Sequence, residues 1–269
     1  MIQKKEINID GINYEYAKGG KGKPVIFLPG LGTPYSVWEN VLPIVAKKYE
    51  VYSIRLPIYG SKSQSGITYD LNNIHAFLKS FINKNDIQKP SLVGQSLGGI
   101  TALSYVANNK GAAKSLVIVG APLANGKQKP PLVWKIVVRL ILKSNNPKKY
   151  SNFVIRNENL IKTLYKLITS ESNFPDMKRG LTESPIESIA LCVQDLFSAS
   201  FENEIVRVNV PTLVVYGKND KLIKPLNGTR LYKKIPNAKI VAVEDNHFIP
   251  TNSPKMLSGI ILKFLNQLS

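Results

Sequence analysis

The sequence has 269 residues, 43% of them hydrophobic, enough apolar material for a sizeable core and too much for a disordered chain. A single cysteine, Cys192, excludes an intramolecular disulfide, and two histidines, His75 and His247, leave no cluster with zinc-ligand spacing, so no metal and no cofactor are expected. The net charge is +18, from 36 Lys+Arg against 18 Asp+Glu, but only six of the basic residues are Arg and no nucleic-acid motif is present, which reads as a generally basic surface with no specific nucleic-acid partner.

In chain order, residues 5–9 and 13–16 read as strands around an Asp10–Gly11 hairpin turn. Pro24–Leu28 (PVIFL) is a buried strand that runs into Pro29-Gly30-Leu31-Gly32. Helical spacing over residues 37–47 places Trp38, Val41, Leu42 and Val45 on one face. A strand is predicted over 50–56 and a helix over 70–84, with Leu71, Ile74, Phe77, Leu78 and Phe81 inward. A strand over 91–94 leads straight into Ser96 and a helix over 97–109, and Ser115–Val119 is again wholly apolar. Apolar strands interleaved with helices predict a parallel sheet covered on both faces.

After about residue 122 the alternation stops, and helical segments alone are predicted, over 132–142, 159–169 and 185–197. It resumes with a strand over 211–216, the helix Leu226–Lys234, a strand over 239–243 and a last helix over 254–268. The expected organisation is an α/β core of residues 1–121 and 206–269, interrupted by a helical cap over 122–205. No run of about 18 apolar residues occurs and MIQKKEINID carries no signal-like apolar stretch, so a soluble, cytoplasmic protein is expected.

Gly94-Gln95-Ser96-Leu97-Gly98-Gly99, between an apolar strand and a helix, is a G-x-S-x-G in the strand–turn–helix setting that makes such a serine a nucleophile. Small residues let backbone segments close up around a tight turn, which lifts the Ser96 hydroxyl above the sheet edge. Of the two histidines, His75 falls inside a predicted helix ahead of the nucleophile. His247 follows the last strand, at the sheet's carboxyl edge, and is the expected base. Asp220, in a short loop after the preceding strand, is the expected orienting acid, with Asp195, Glu244 and Asp245 as alternatives. The N–H groups of Leu97 and Leu31 are the expected oxyanion donors. Gln95 and Trp134 are candidate substrate contacts, and Cys192 reads as a small buried hydrophobe.

With PVIFLPGLG, VGQSLGG, PTLVVYGKND and NHF in this order, nearly the whole chain resembles the α/β-hydrolase superfamily, specifically its small members with a helical lid. The resemblance implies a mostly parallel sheet of about eight strands flanked by helices, with an inserted helical cap. Two departures stand out: Pro29-Gly30 where the family often has His-Gly, and Arg55 where it often has an Asp, the latter bearing on loop packing. The expected activity is serine-dependent hydrolysis of a hydrophobic carboxylic ester or related acyl compound. Alternatives are carbon–carbon bond hydrolysis or a lyase step in cofactor biosynthesis with the same residues, and a receptor or interaction protein with a vestigial triad. Residues 121–185 hold 12 Lys+Arg against four Asp+Glu, and Lys135, Arg139 and Lys143 fall at i, i+4, i+8 beside apolar positions. Weak contact with an anionic membrane surface is therefore a further expectation.

Overall fold

The computed structural model describes residues 1–31, 33–57, 71–123 and 200–268, together with positions 136, 139, 140 and 143. The elements are β1 (Gln3–Ile9), β2 (Ile12–Gly19), β3 (Pro24–Leu28), a 3-10 turn (Tyr35–Trp38), α1 (Leu42–Val45), β4 (Glu50–Ile54), α2 (Leu71–Lys84), β5 (Ser91–Gln95), α3 (Leu97–Asn108), β6 (Ser115–Val119), α4 (Glu202–Ile205), β7 (Thr212–Gly217), α5 (Leu226–Lys234), β8 (Ala238–Val243), α6 (Ile249–Asn252) and α7 (Pro254–Asn266). The strands form one sheet of eight in the order β1-β2-β4-β3-β5-β6-β7-β8. The β1–β2 and β2–β4 pairs are antiparallel and the others parallel, as expected for this fold class.

Period-two alternation along the central strands sorts the core into two layers. Ile26, Leu28, Leu92, Leu116 and Ile118 point to one face, where Ile74, Leu78 and Phe81 of α2, Ile100 and Leu103 of α3, Ile205 of α4 and Leu231 of α5 cover them. Val25, Phe27, Val93, Val117, Val119 and Val215 point to the other face, against Trp38, Val45 and the Leu257, Ile261 and Phe264 stripe of α7. From β3 the chain steps outward to β4, then returns across β3 to β5 and proceeds through β6, β7 and β8. The reversal leaves a crevice at the carboxyl ends of β3 and β5, where open α/β sheets bind ligands.

One predicted element differs. The single helix expected over 37–47 is a 3-10 turn followed by the four-residue α1. Pro43 has no N–H to donate and its ring would clash with the carbonyl four residues back, so a helix can only start beside it. The inward residues survive the break, because Trp38, Val41, Leu42 and Val45 are all buried. The hairpin strands are also longer than expected, pairing from Gln3↔Lys18 to Ile9↔Ile12. Asp10 and Gly11 turn between them with φ of 53° and 83°, the paired left-handed conformation of a tight hairpin. Arg55 pairs with Glu15 on β2 at 3.0 Å, so its charge is used at the sheet edge.

The predicted segments 159–169 and 185–197, with Cys192 and Asp195, lie outside the described residues. Within 132–142, Ile136, Arg139 and Leu140 are helical and exposed, and the Lys143 N–H bonds to the Arg139 carbonyl at 3.0 Å. Phe201 and Ile205, just ahead of the expected boundary at 206, already sit in the core cluster that includes α3. No helix among the described residues is long and apolar enough to cross a membrane.

Candidate active site

The chain leaves β5 at Gln95 and enters α3 at Leu97, so Ser96 alone makes the turn. Its backbone lies at φ 51°, ψ −116°, a strained conformation for a residue with a Cβ, which costs on the order of 1–3 kcal/mol and is sustained by its surroundings. Glycines make that turn possible. A Cβ on Gly94 would stand 2.2 Å from the Gly98 carbonyl oxygen, and one on Gly98 would stand 2.4 Å from that of Leu28. Strand, elbow and helix therefore pack backbone against backbone. The Ser96 N–H bonds to the Val119 carbonyl at 2.9 Å, which fixes the elbow to the end of β6.

Leu97 is the first residue of α3, so its N–H has no intrahelical acceptor and points from a helix N-terminus. Across the crevice, Gly30 approaches so closely that a Cβ there would lie 3.2 Å from the Cβ of Ser96. Thr33 shapes this loop, its N–H and its hydroxyl both donating to the Gly30 carbonyl, at 3.3 and 2.9 Å. Leu31 thus stands beside the elbow, in the loop that follows β3.

Asp220 and His247 come from the loops after β7 and β8. The His247 Nδ1 lies 2.8 Å from the Asp220 Oδ2, and both residues are 3% exposed. The other carboxylate oxygen of Asp220 accepts the Ile223 N–H at 2.7 Å, so the turn and the imidazole together fix the carboxylate. An ionised carboxylate only accepts, which places the imidazole proton on Nδ1 and leaves Nε2 with a lone pair. Gly120, just past Val119, lies under the pair: a Cβ there would be 3.5 Å from Nδ1 and 3.6 Å from Oδ2. Ser96 and His247 are therefore joined through the β6 terminus.

The two loops are tied to each other. Lys218 N–H bonds to the Val243 carbonyl at 2.9 Å and Asn219 N–H to the Asp245 carbonyl at 3.0 Å. Gly217 allows this approach, since a Cβ there would lie 2.4 Å from the Asp245 oxygen. Asn252 of α6 donates to the Asp245 Oδ1 at 2.9 Å and to the Asn246 Oδ1 at 2.7 Å. Asp245, an alternative acid, is turned toward α6, and Glu244 forms a surface ion pair with Lys218.

The structure thus brings Ser96, Leu97, Leu31, Gln95, Asp220 and His247 to one sheet edge. Gln95 is 1% exposed and its Nε2 donates to the His247 carbonyl at 3.0 Å. Trp134 lies outside the described residues, and His75 is on α2, its ring 6.5 Å from that of Tyr105. Gln95's partner, Gly217, Gly120 and Asn252 were beyond the reach of sequence reasoning. Among the described residues, no three His, Cys, Asp or Glu side chains form a group able to hold a metal.

An eight-stranded, mostly parallel sheet with a strand–serine–helix elbow at its carboxyl edge defines an α/β-hydrolase fold. The chain belongs to the alpha/beta hydrolase fold family, whose model matches residues 23–254. It is 24% identical, over 97% of its length and 90% of the relative's, to the 2-hydroxy-6-oxo-6-(2'-aminophenyl)hexa-2,4-dienoic acid hydrolase of Metapseudomonas resinovorans. It is 23% identical to a pimeloyl-[acyl-carrier protein] methyl ester esterase of Legionella pneumophila, over 86% of this chain and 89% of that one. Among solved structures, the esterase EaEST from Exiguobacterium antarcticum superposes with a TM-score of 0.80 at 16% identity, covering 96% of this chain and 97% of that one.

Proposed function

We propose that this hydrolase cleaves a carboxylic ester or related acyl compound through an acyl-enzyme on Ser96. The observation that carries the reading is the buried Asp220–His247 pair at the same edge as the strained Ser96 elbow. In this reading His247 Nε2 takes the Ser96 hydroxyl proton as Oγ attacks the carbonyl carbon. The Leu31 and Leu97 N–H groups bind the oxygen that becomes negative. Collapse of the tetrahedral species breaks the carbon–oxygen bond, and His247 gives its proton to the departing alcohol. Water then attacks the acyl-enzyme, passing a proton to His247 and from there to Ser96 Oγ, which restores both groups. Asp220 holds the imidazole in its tautomer and stabilises its cation.

Trp134, Phe153, Tyr165 and Phe197 in the segment between β6 and β7 favour a substrate with a hydrophobic acyl or alcohol part. The relative that is a methyl ester esterase agrees with ester cleavage. A second reading, hydrolysis of a carbon–carbon bond, is favoured by the nearly full-length similarity to the dienoic acid hydrolase. The test is a panel of p-nitrophenyl esters of graded chain length and a vinylogous 1,5-diketone acid, assayed with the wild-type protein and Ser96→Ala. Ester turnover that needs Ser96 supports the first reading, and preference for the diketone supports the second. Turnover of neither above about 0.01 per second, far below the common enzyme range, would favour a receptor-like protein with a vestigial triad.

A further inference from the structure

We infer that Gln95 is a positioning residue that sets where the base stands relative to the nucleophile; the inference rests on the roles proposed above for Ser96 and His247. Gln95 is the last residue of β5 and the covalent neighbour of Ser96. Its Nε2 reaches across 152 positions of sequence to the carbonyl oxygen of His247, at 3.0 Å. A carbonyl only accepts, so this bond fixes which end of the amide faces the histidine. The opposite end, Oε1, is buried and has no hydrogen-bond partner among the described residues. An apolar side chain would fill the same space without burying an unbonded oxygen. What distinguishes glutamine here is its bond to the His247 carbonyl.

The other ties of the His247 loop explain why that bond matters. Lys218 and Asn219 join it to the loop that carries Asp220, and the imidazole itself bonds to Asp220. These contacts make acid and base one unit, which the β6 terminus brings beside the elbow. Gln95, the residue immediately before the proposed nucleophile, bonds to that unit directly. With 1% of its surface exposed, the side chain has no face to offer a substrate. Its removal should therefore misplace the base in the chemical step and leave substrate binding nearly intact.

The test is Gln95→Met, which keeps the volume and removes both the donor and the unbonded oxygen, with Gln95→Leu as the second variant should the first fold poorly. Hydrolysis of p-nitrophenyl butyrate is expected to lose about 10- to 100-fold in kcat with KM within about threefold. Because the chain has two histidines, ¹⁵N-histidine labelling limits the ring N–H signals to His75 and His247, and a His75→Gln background assigns that of His247. Its downfield proton, protected in the wild type, is expected to broaden through exchange in the variant. A raised KM with unchanged kcat would make Gln95 a substrate contact. Unchanged kinetics with an unchanged ring-proton signal would make it a filler, and either result overturns the inference. If the wild type cleaves no ester, the functional reading fails separately. The ring-proton signal then decides on its own whether Gln95 positions His247.

Discussion

At the elbow around Ser96 the backbone is held by what is missing, whereas the loop around His247 is held by bonds that are present. Gly94 and Gly98 leave no room for a side chain, and their closeness to Leu28 and to each other forces the Ser96 turn. Asp245, Asn246 and His247 instead take hydrogen bonds from Asn219, Asn252 and Gln95. Steric exclusion is all-or-none, since an added methyl group must move a backbone. Bonds can be removed one at a time, so the second region should degrade in steps.

The largest effect is expected at Ser96, the proposed nucleophile. Ser96→Ala should leave the fold intact and lower ester turnover by roughly four to six orders of magnitude, measured under single-turnover conditions. Asp220→Asn should retain its melting temperature within a few degrees yet lose on the order of 10³–10⁴ in kcat, because an amide favours the wrong imidazole tautomer. A loss of less than tenfold would show that another acid serves His247. Gly98→Ala tests the steric side. Its methyl group meets the Leu28 and Pro29 carbonyl oxygens at 2.4 and 2.5 Å, so urea unfolding should reveal about 1–3 kcal/mol of destabilisation together with a large loss of turnover. Asn252→Ala removes two donors on the braced side and should lower kcat only a few-fold, with stability reduced by about 0.5–1.5 kcal/mol. Lys218→Ala removes an exposed ion pair with Glu244 and should change neither turnover nor melting temperature measurably. Equal damage from Gly98→Ala and Asn252→Ala would erase the distinction between the two regions.

That distinction also decides what could be read from the sequence. A glycine excluded by sterics leaves its mark at a fixed spacing from Ser96, and the apolar strands on either side set the register. The elbow, the order of strands and helices, and the positions of Asp220 and His247 followed from such local patterns. The bond from Gln95 to His247 has no local signature, because its partner is a backbone carbonyl supplied by the distant β8 loop. Gly217 likewise reads as an ordinary turn glycine until the Asp245 carbonyl is seen against it. The helix expected over 37–47 fails for a different reason. Its apolar spacing is helical, yet Pro43 limits where a helix can begin, so the buried side chains were legible and the backbone carrying them was not.

Ser96 is proposed as the activated nucleophile. Treating the wild-type protein with a fluorophosphonate and locating the adduct by peptide mass spectrometry asks this directly. The expected result is one adduct, on Ser96, that forms far more slowly in Asp220→Asn. Labelling of a different serine, or labelling of Ser96 at the same rate in both proteins, would contradict it.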